Sequence, residues 1–169
     1  MLLEELVAFG VRRAVFLGYC GSLLPEVRVG DIIFPEEAIR EEGPSYHYLT
    51  KHEKSIPDLQ LQRRLFDGMK STRLRSFRGK VWTTDAPYRE TPNKVRRLCE
   101  EGILGVEMEM AAAFAFGIFR GISIGAILIV SDEVNEGGWR IGFFSSPVKE
   151  ARKRVIHFLP QILPEVAHF

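Results

Sequence analysis

The stretch from Ile122 to Glu133, Ile-Ser-Ile-Gly-Ala-Ile-Leu-Ile-Val-Ser-Asp-Glu, constrains this chain more than any other. From Ile124 to Val130 it is continuously apolar, and it then breaks abruptly into Ser131-Asp132. A run with no polar alternation reads as a strand buried on both faces, at the centre of a covered sheet. Polar residues at the C-terminal end of such a strand stand where open α/β sheets hold their ligands. On local chemistry alone, Asp132 reads first as a turn residue or a helix N-cap.

The rest of the chain alternates around that strand. Leu2 to Phe9 is a short amphipathic helix stopped by Gly10. Ala14 to Leu17 is a buried strand, followed by a tight turn bracketed by Gly18 and Gly21. Gly30 to Phe34 is a strand closed by Pro35, and Glu36 to Tyr48 is a further extended segment. Leu59, Leu61, Leu65, Phe66 and Met69 form an apolar stripe in a helix from Pro57 to Lys70. Lys80 to Thr84 is a strand. Thr91-Pro92 opens a helix running to Glu101, with proline at its first position. A short strand over Gly102 to Val106 leads into an alanine-rich helix ending at Phe119. After the Gly137-Gly138 loop, Pro147 to Leu163 is the last helix. Strands alternating with helices predict an α/β fold with a mixed, mostly covered β-sheet flanked by helices. The expectation is one domain over residues 1–169, without internal repeat or low-complexity linker.

Composition removes several function classes. The 169 residues are 46% hydrophobic and 27% charged, with a net charge of +1, which offers no electrostatic case for nucleic acid or a membrane surface. The basic pairs Arg12-Arg13, Arg63-Arg64 and Arg73/Arg75 are scattered. No apolar run reaches bilayer length, and the acidic start Glu4-Glu5 is unlike a signal peptide. Cys20 and Cys99 are far apart and read as free thiols in a reducing compartment, so a cytoplasmic location is expected. No histidine cluster has metal-ligand spacing.

The motif with most chemical content is Gly105-Val-Glu-Met-Glu-Met-Ala-Ala112. It places Glu107 and Glu109 around Met108, at the exit of a buried strand and the start of a small-residue helix. Carboxylates at the edge of an interior need hydrogen-bonding partners. Vicinal sugar hydroxyls suit, because one carboxylate can accept two O–H bonds at once. The competing reading is a solvated pair at a helix N-terminus, favoured by the macrodipole.

Three further segments stand in order beside it. Val11 to Leu23 carries Gly18-Tyr-Cys-Gly-Ser22 after a strand, a turn able to aim backbone N–H groups at an anion. Lys80 to Thr91 carries Thr84-Asp85 followed by Tyr88 and Arg89, with Trp82 read either as core or as an aromatic near a ligand. The third is Ser131-Asp132. Together these resemble the nucleoside phosphorylase family, which includes purine nucleoside phosphorylases, uridine phosphorylases and methylthioadenosine/adenosylhomocysteine nucleosidases. The resemblance runs from Leu2 to about Leu163.

It implies a phosphorylase-like three-layer fold and cleavage of the N-glycosidic bond of a purine nucleoside, giving free base and ribose-1-phosphate. Asp132 would be the catalytic group at purine N7. Glu109, with Met108 and Glu107, would hold the ribose. Gly18, Tyr19, Gly21 and Ser22 would form the phosphate site. Thr84, Asp85, Tyr88, Arg89 and Ser131 would surround the base. Inorganic phosphate is then a co-substrate, with no cofactor and no metal. The expected partners are nucleoside and phosphate, and the expected assembly is a homo-oligomer, a dimer or a hexamer of dimers. His47 resembles a residue near the base in some members. Trp139 and Arg140, beside Gly137-Gly138, read as a lid or as surface packing.

Two departures from the family pattern stand out. Members normally begin with several more strands, so the chain reads as the fold entered partway through, as a fragment, a natural shortening or a misassigned start. In addition, Phe16 and Tyr19 occupy positions where the phosphorylases carry Arg and Ser or Thr. Losing a bidentate arginine removes the strongest phosphate-binding group. The nucleosidase branch, which uses water, lacks that arginine too. A nucleosidase and a catalytically silent nucleoside-binding module are therefore alternatives.

Overall fold

The computed structural model describes residues 2–135 and 138–167. Its order is Leu2–Ala8 (α1), Arg13–Ser22 (β1), Ile32–Glu41 (β2), Leu59–Met69 (α2), Ser76–Thr84 (β3), Pro92–Glu100 (α3), Gly105–Glu107 (β4), Met110–Arg120 (α4), Ser123–Asn135 (β5), Gly138–Ile141 (β6) and Ser146–Ala167 (α5). Gly137 and His168 lie outside the described residues.

The sheet is mixed and curls until it meets itself. β1 runs parallel to β5, from Arg13 beside Ser123 onward. β2 meets β5 antiparallel over Ile32–Ile129 and Ile33–Leu128, and pairs in parallel with β3. β3 carries β4 in parallel, and β4 closes the ring antiparallel to β1 through Gly21–Val106 and Ser22–Gly105. β6 hangs outside the ring as a hairpin partner of β5. Closure depends on close backbone approach: a Cβ at Gly105 would lie 2.8 Å from the carbonyl oxygen of Gly21.

The apolar run in β5 is buried on both faces, as its composition requires. Ile124, Ala126, Leu128 and Val130 enter one core with Met110, Ala111, Phe114 and Phe116 of α4. The alternating residues Ile127 and Ile129 enter a second core with Leu61, Leu65 and Met69 of α2 and Val148, Ala151 and Val155 of α5. A third cluster packs α3, through Val95 and Leu98, against Trp82, Leu23, Ile103 and Val106. The strand alternation thus feeds two layers of helices. Where β5 lacks a strand neighbour, Gln62 of α2 fills the gap. Its amide donates to Ala126 O and accepts from Ala126 N, both at 2.8 Å. The helix sits so close that a Cβ at Gly125 would meet Leu65 at 2.8 Å.

The helix boundaries follow local chemistry. Asp58 caps α2 by accepting from the backbone N–H groups of Gln60 and Leu61. Pro92 opens α3. Gly10, with φ +93°, takes the left-handed position after α1 that a side chain would resist.

The strands depart from expectation at several places. The anticipated turn at Gly18–Gly21 is absent, because β1 continues through both glycines to Ser22. Their lack of a Cβ instead lets neighbours close in: a Cβ would lie 3.3 Å from Leu128 at Gly18 and 3.0 Å from Val134 at Gly21. Pro35 does not end β2. A bulge between Pro35 and Glu37 absorbs the missing N–H, and the strand reaches Glu41. The segment expected to stay extended to Tyr48 instead forms a 3-10 turn over Pro44–His47. β5 runs past Asp132 to Asn135, held by β6, a strand the sequence pattern did not signal. Among the described residues, no helix is long and apolar enough to cross a membrane.

Candidate active site

The bulge between Cys20 and Gly21, the β4–α4 junction and the far end of β5 converge on one cleft of about 730 Å³. Tyr19, Cys20 and Gly21 form its floor. Glu107, Met108 and Glu109 stand on one wall, and Ser131, Asp132 and Val134 on another. Pro87, Tyr88 and Glu90 reach in from the turn after β3, and Trp139 and Phe143 from the β6 side.

Glu107 is buried, and its carboxylate is fully engaged. It accepts from the hydroxyl of Thr83 and from the backbone N–H groups of Glu109 at 2.7 Å and Met110 at 2.8 Å. Thr83 in turn accepts from Ala111 N at 3.0 Å. The first-turn amides of α4 therefore find their acceptor in the preceding strand rather than in the N-cap residue Glu109, which makes no side-chain cap. Burial pushes the Glu107 carboxyl up to about 7, against the lowering effect of Thr83 and the two amides. Met108 and Glu109, by contrast, are exposed on the cleft wall.

Asp132 is 7% exposed, and both carboxylate oxygens are held. Ser131 Oγ donates to Oδ1 at 2.7 Å, and the indole N–H of Trp139 donates to Oδ2 at 2.7 Å. Gly21 lies directly beneath: a Cβ there would come 3.1 Å from Oδ2. The next residue, Glu133, is buried and ties the strand to its surroundings. It accepts from Val29 N at 3.3 Å and pairs with Arg28 at 3.3 Å and Arg140 at 3.6 Å. Arg140, read from sequence as part of a lid or as surface packing, pairs across the β5–β6 hairpin with Glu133.

The remaining residues singled out in the sequence are dispersed. Tyr19 is 43% exposed on the floor, and Tyr88 is fully exposed at the rim. Gly18, Ser22, Thr84, Asp85 and Arg89 do not line the cleft. Thr84 is buried and accepts from Ala86 N at 3.2 Å, which shapes the turn. Asp85 and Arg89 are exposed. Ser22 is buried with an unpartnered hydroxyl. Trp82 belongs to the core, with its indole N–H on Glu41 at 2.7 Å. His47 is exposed on its 3-10 turn.

The sequence marks Cys20 only as a free thiol and gives Glu90 no role, and Trp139 is read there without its bond to Asp132. Burial, together with the negative charges of Glu107 and Asp132, pushes the Cys20 thiol well above its usual range. Burial and then the charge of Asp132 raise the Glu90 carboxyl, with Lys94 opposing. Only the position of Glu90 just before the Thr91-Pro92 helix start could have hinted that it faces the cleft.

The cleft's charge is one-sided. It is lined by the carboxyl groups of Glu90, Glu107, Glu109 and Asp132, and among the described lining residues there is no Lys, Arg or His. Aromatic rings of Tyr19, Tyr88, Trp139 and Phe143 supply flat apolar surface. Such a cleft suits a planar, N–H-bearing ring attached to a polyhydroxyl group. Among the described residues no group of His, Cys, Asp and Glu side chains is placed to hold a metal ion.

Comparison with known proteins agrees with that arrangement. A family model described as the phosphorylase superfamily matches residues 1–164. A guanosine phosphorylase of Halorubrum lacusprofundi is 30% identical over 134 residues, covering 79% of this chain and 56% of that protein. A DeoD-type purine nucleoside phosphorylase of Xenorhabdus nematophila is 27% identical over 135 residues, covering 79% of this chain and 57% of its own length. A solved structure described as the P. knowlesi homolog of P. falciparum PNP matches with a TM-score of 0.82 at 23% identity, over 98% of this chain and 66% of that one. The structural likeness speaks for the fold. The chain spans little more than half the length of the curated relatives it matches.

Proposed function

From its membership of the phosphorylase superfamily, to which this chain belongs, we propose that the cleft binds a purine nucleoside and cleaves its N-glycosidic bond, with phosphate as the acceptor. The observation that carries the reading is the shared cleft of Glu109 and Asp132. Each presents a carboxylate from a different wall, with aromatic surface between them.

In this reading Glu109 accepts the ribose 2′- and 3′-hydroxyls, and Met108 packs under the sugar. Cleavage leaves positive charge on the ribose ring, so bonds to an anionic Glu109 strengthen toward the transition state. Asp132, oriented by Ser131 and Trp139, meets purine N7 through a proton lying between them. Tyr88 and Trp139 flank the base. Glu107 contributes by fixing the α4 turn that carries Met108 and Glu109.

The phosphate end rests on the family more than on these residues. β1 stays in the sheet through Gly18–Ser22, with one register shift between Cys20 and Gly21, and no cation lines the cleft among the described residues. That observation favours a second reading, hydrolysis with water as the nucleophile. The two are separated by incubating the protein with inosine, adenosine, methylthioadenosine and uridine, with and without phosphate, and measuring free base. Release of purine that requires phosphate supports the phosphorylase. Release without phosphate replaces it with a nucleosidase. Binding with no release under either condition would identify a nucleoside-binding module.

A further inference from the structure

Glu90 sits in the cleft beside the residues assigned to ribose and base. It closes the Pro87–Arg89 turn, its N–H donates to Pro87 O at 3.2 Å, and its carboxyl is half-buried on the cleft wall. Asp132 has given one lone pair on each oxygen to a fixed donor, Ser131 Oγ and Trp139 Nε1. Both oxygens of Asp132 therefore already accept a hydrogen bond. Glu90 is a second carboxyl in the same cleft, held by neither of those donors and able to bring a proton to the base that Asp132 faces.

We propose that Glu90 and Asp132 form an acid pair at the base end of the cleft, in which Glu90 carries the proton that the departing base takes up. The proposal rests on the nucleoside-cleavage reading above. As the C1′–N bond breaks, its electron pair passes to the base. The proton on Glu90 moves to the ring nitrogen facing Asp132, and Glu90 is left as a carboxylate. The oxygen of phosphate or water forms the new bond to C1′. Half exposure lets Glu90 recover its proton from solvent after the product leaves.

The surroundings of Glu90 shift it toward the acid form. Asp132 on β5, and Glu107 and Glu109 at the β4–α4 junction, line the same cleft. Tyr19 and Cys20 on β1 and the neighbouring Tyr88 bring no positive charge. Lys94, one turn into α3, is the cation that opposes them, but it is already paired with Glu41 and lies 5.2 Å over the Trp82 ring. The net result is a carboxyl raised above its ordinary range, first by burial and then by Asp132. Two carboxyls in one site with environments that divide their roles are the usual arrangement for acid–base work.

The test compares wild type and Glu90→Gln on inosine and on 7-methylguanosine, whose base is already cationic and leaves without a proton. General acid catalysis is worth about 10²- to 10⁴-fold, so inosine cleavage should fall by roughly that factor while 7-methylguanosine cleavage barely changes. The wild-type inosine rate should fall as pH rises through the Glu90 titration, and the variant should lack that limb. Equal losses on both substrates, or no loss on either, would overturn the proposal. A second measurement does not need turnover: NMR titration of ¹³C-labelled glutamates, with Glu90 assigned through Glu90→Gln. A midpoint above the ordinary value that drops in Asp132→Asn supports the pair, and an ordinary midpoint overturns it. If neither nucleoside is cleaved by wild type, the cleavage reading fails, and the titration alone decides whether Glu90 and Asp132 are paired.

Discussion

The indole N–H of Trp139 lies 2.7 Å from Asp132 Oδ2, so a residue on the outermost strand of the sheet orients the buried carboxylate at the cleft's centre. The β5–β6 hairpin is the reason. Val134–Trp139 and Glu133–Arg140 are register partners, and Glu133 pins the same hairpin to Arg28 and Arg140. Trp139→Phe keeps the ring but removes the donor. A hydrogen bond to a charged group is worth about 1.5 kcal/mol at the low end, or roughly tenfold. Nucleoside turnover should fall by about that factor in protein that remains folded, with at most a modest drop in melting temperature. Unaltered kcat would show that the indole does not orient Asp132.

Glu107 and Glu109 are two residues apart, yet they should fail differently. Glu107→Ala leaves Thr83 and two first-turn amides of α4 without their acceptor. Unsatisfied buried groups cost about 1–3 kcal/mol each, so thermal unfolding should shift to markedly lower temperature. Glu109→Gln should leave the melting temperature alone and weaken nucleoside binding and turnover together. A stable Glu107→Ala, or an unstable Glu109→Gln, would reverse the assignment of structural and ligand-facing roles.

Glu107 also sets a pH dependence of stability. Its carboxyl is raised from 4.5 to about 7 in the folded protein, so the fold binds that proton more tightly than the unfolded chain. Its contribution is complete below the unfolded value, is lost as pH rises from 4.5 toward 7, and does not return above that. The shift corresponds to a loss of about 3 kcal/mol across the window, as an upper figure. Denaturant midpoints of wild type should fall over this range, whereas Glu107→Gln, a neutral mimic of the acid form, should show a flatter profile. Parallel profiles would remove Glu107 as the source.

Gly21→Ala should separate site geometry from fold. The added Cβ would lie 3.0 Å from Val134, 3.1 Å from Asp132 Oδ2 and 3.3 Å from Val106. Overpacking of this kind costs about 1–3 kcal/mol. The variant should fold with reduced stability and lose more activity than that loss implies, because the carboxylate must move. Wild-type turnover in a folded Gly21→Ala would show that the close approach has no functional part.

The legible parts of this molecule were those set by composition on a short scale. The both-face-buried strand at Ile124–Val130, the helix start at Pro92 and the Gly10 stop each follow from local chemistry, and the structure has them. The Gly18–Gly21 turn did not survive, because glycine signals both a turn and a close approach, and which of the two applies depends on Leu128 and Val134, more than a hundred residues away in sequence. The same limit hid Glu90 and the Trp139–Asp132 bond. Neither has a local periodicity, and both arise only when the ring of strands brings the turn after β3 and the outer hairpin to one cleft. Glu107 and Glu109 look equivalent as a Glu-x-Glu pair, and only the fold turns one inward to α4 and leaves the other facing the cleft.

The most direct test of the central claim is hypoxanthine release from inosine by wild type and by Asp132→Asn, at equal concentration and with phosphate present. Release by wild type, cut by about 10²-fold in the variant because the base loses the carboxylate facing its protonated ring nitrogen, is the expected result. Equal release by both, or none by a wild type that is folded and binds inosine, would contradict the assignment of this cleft to N-glycosidic cleavage through Asp132.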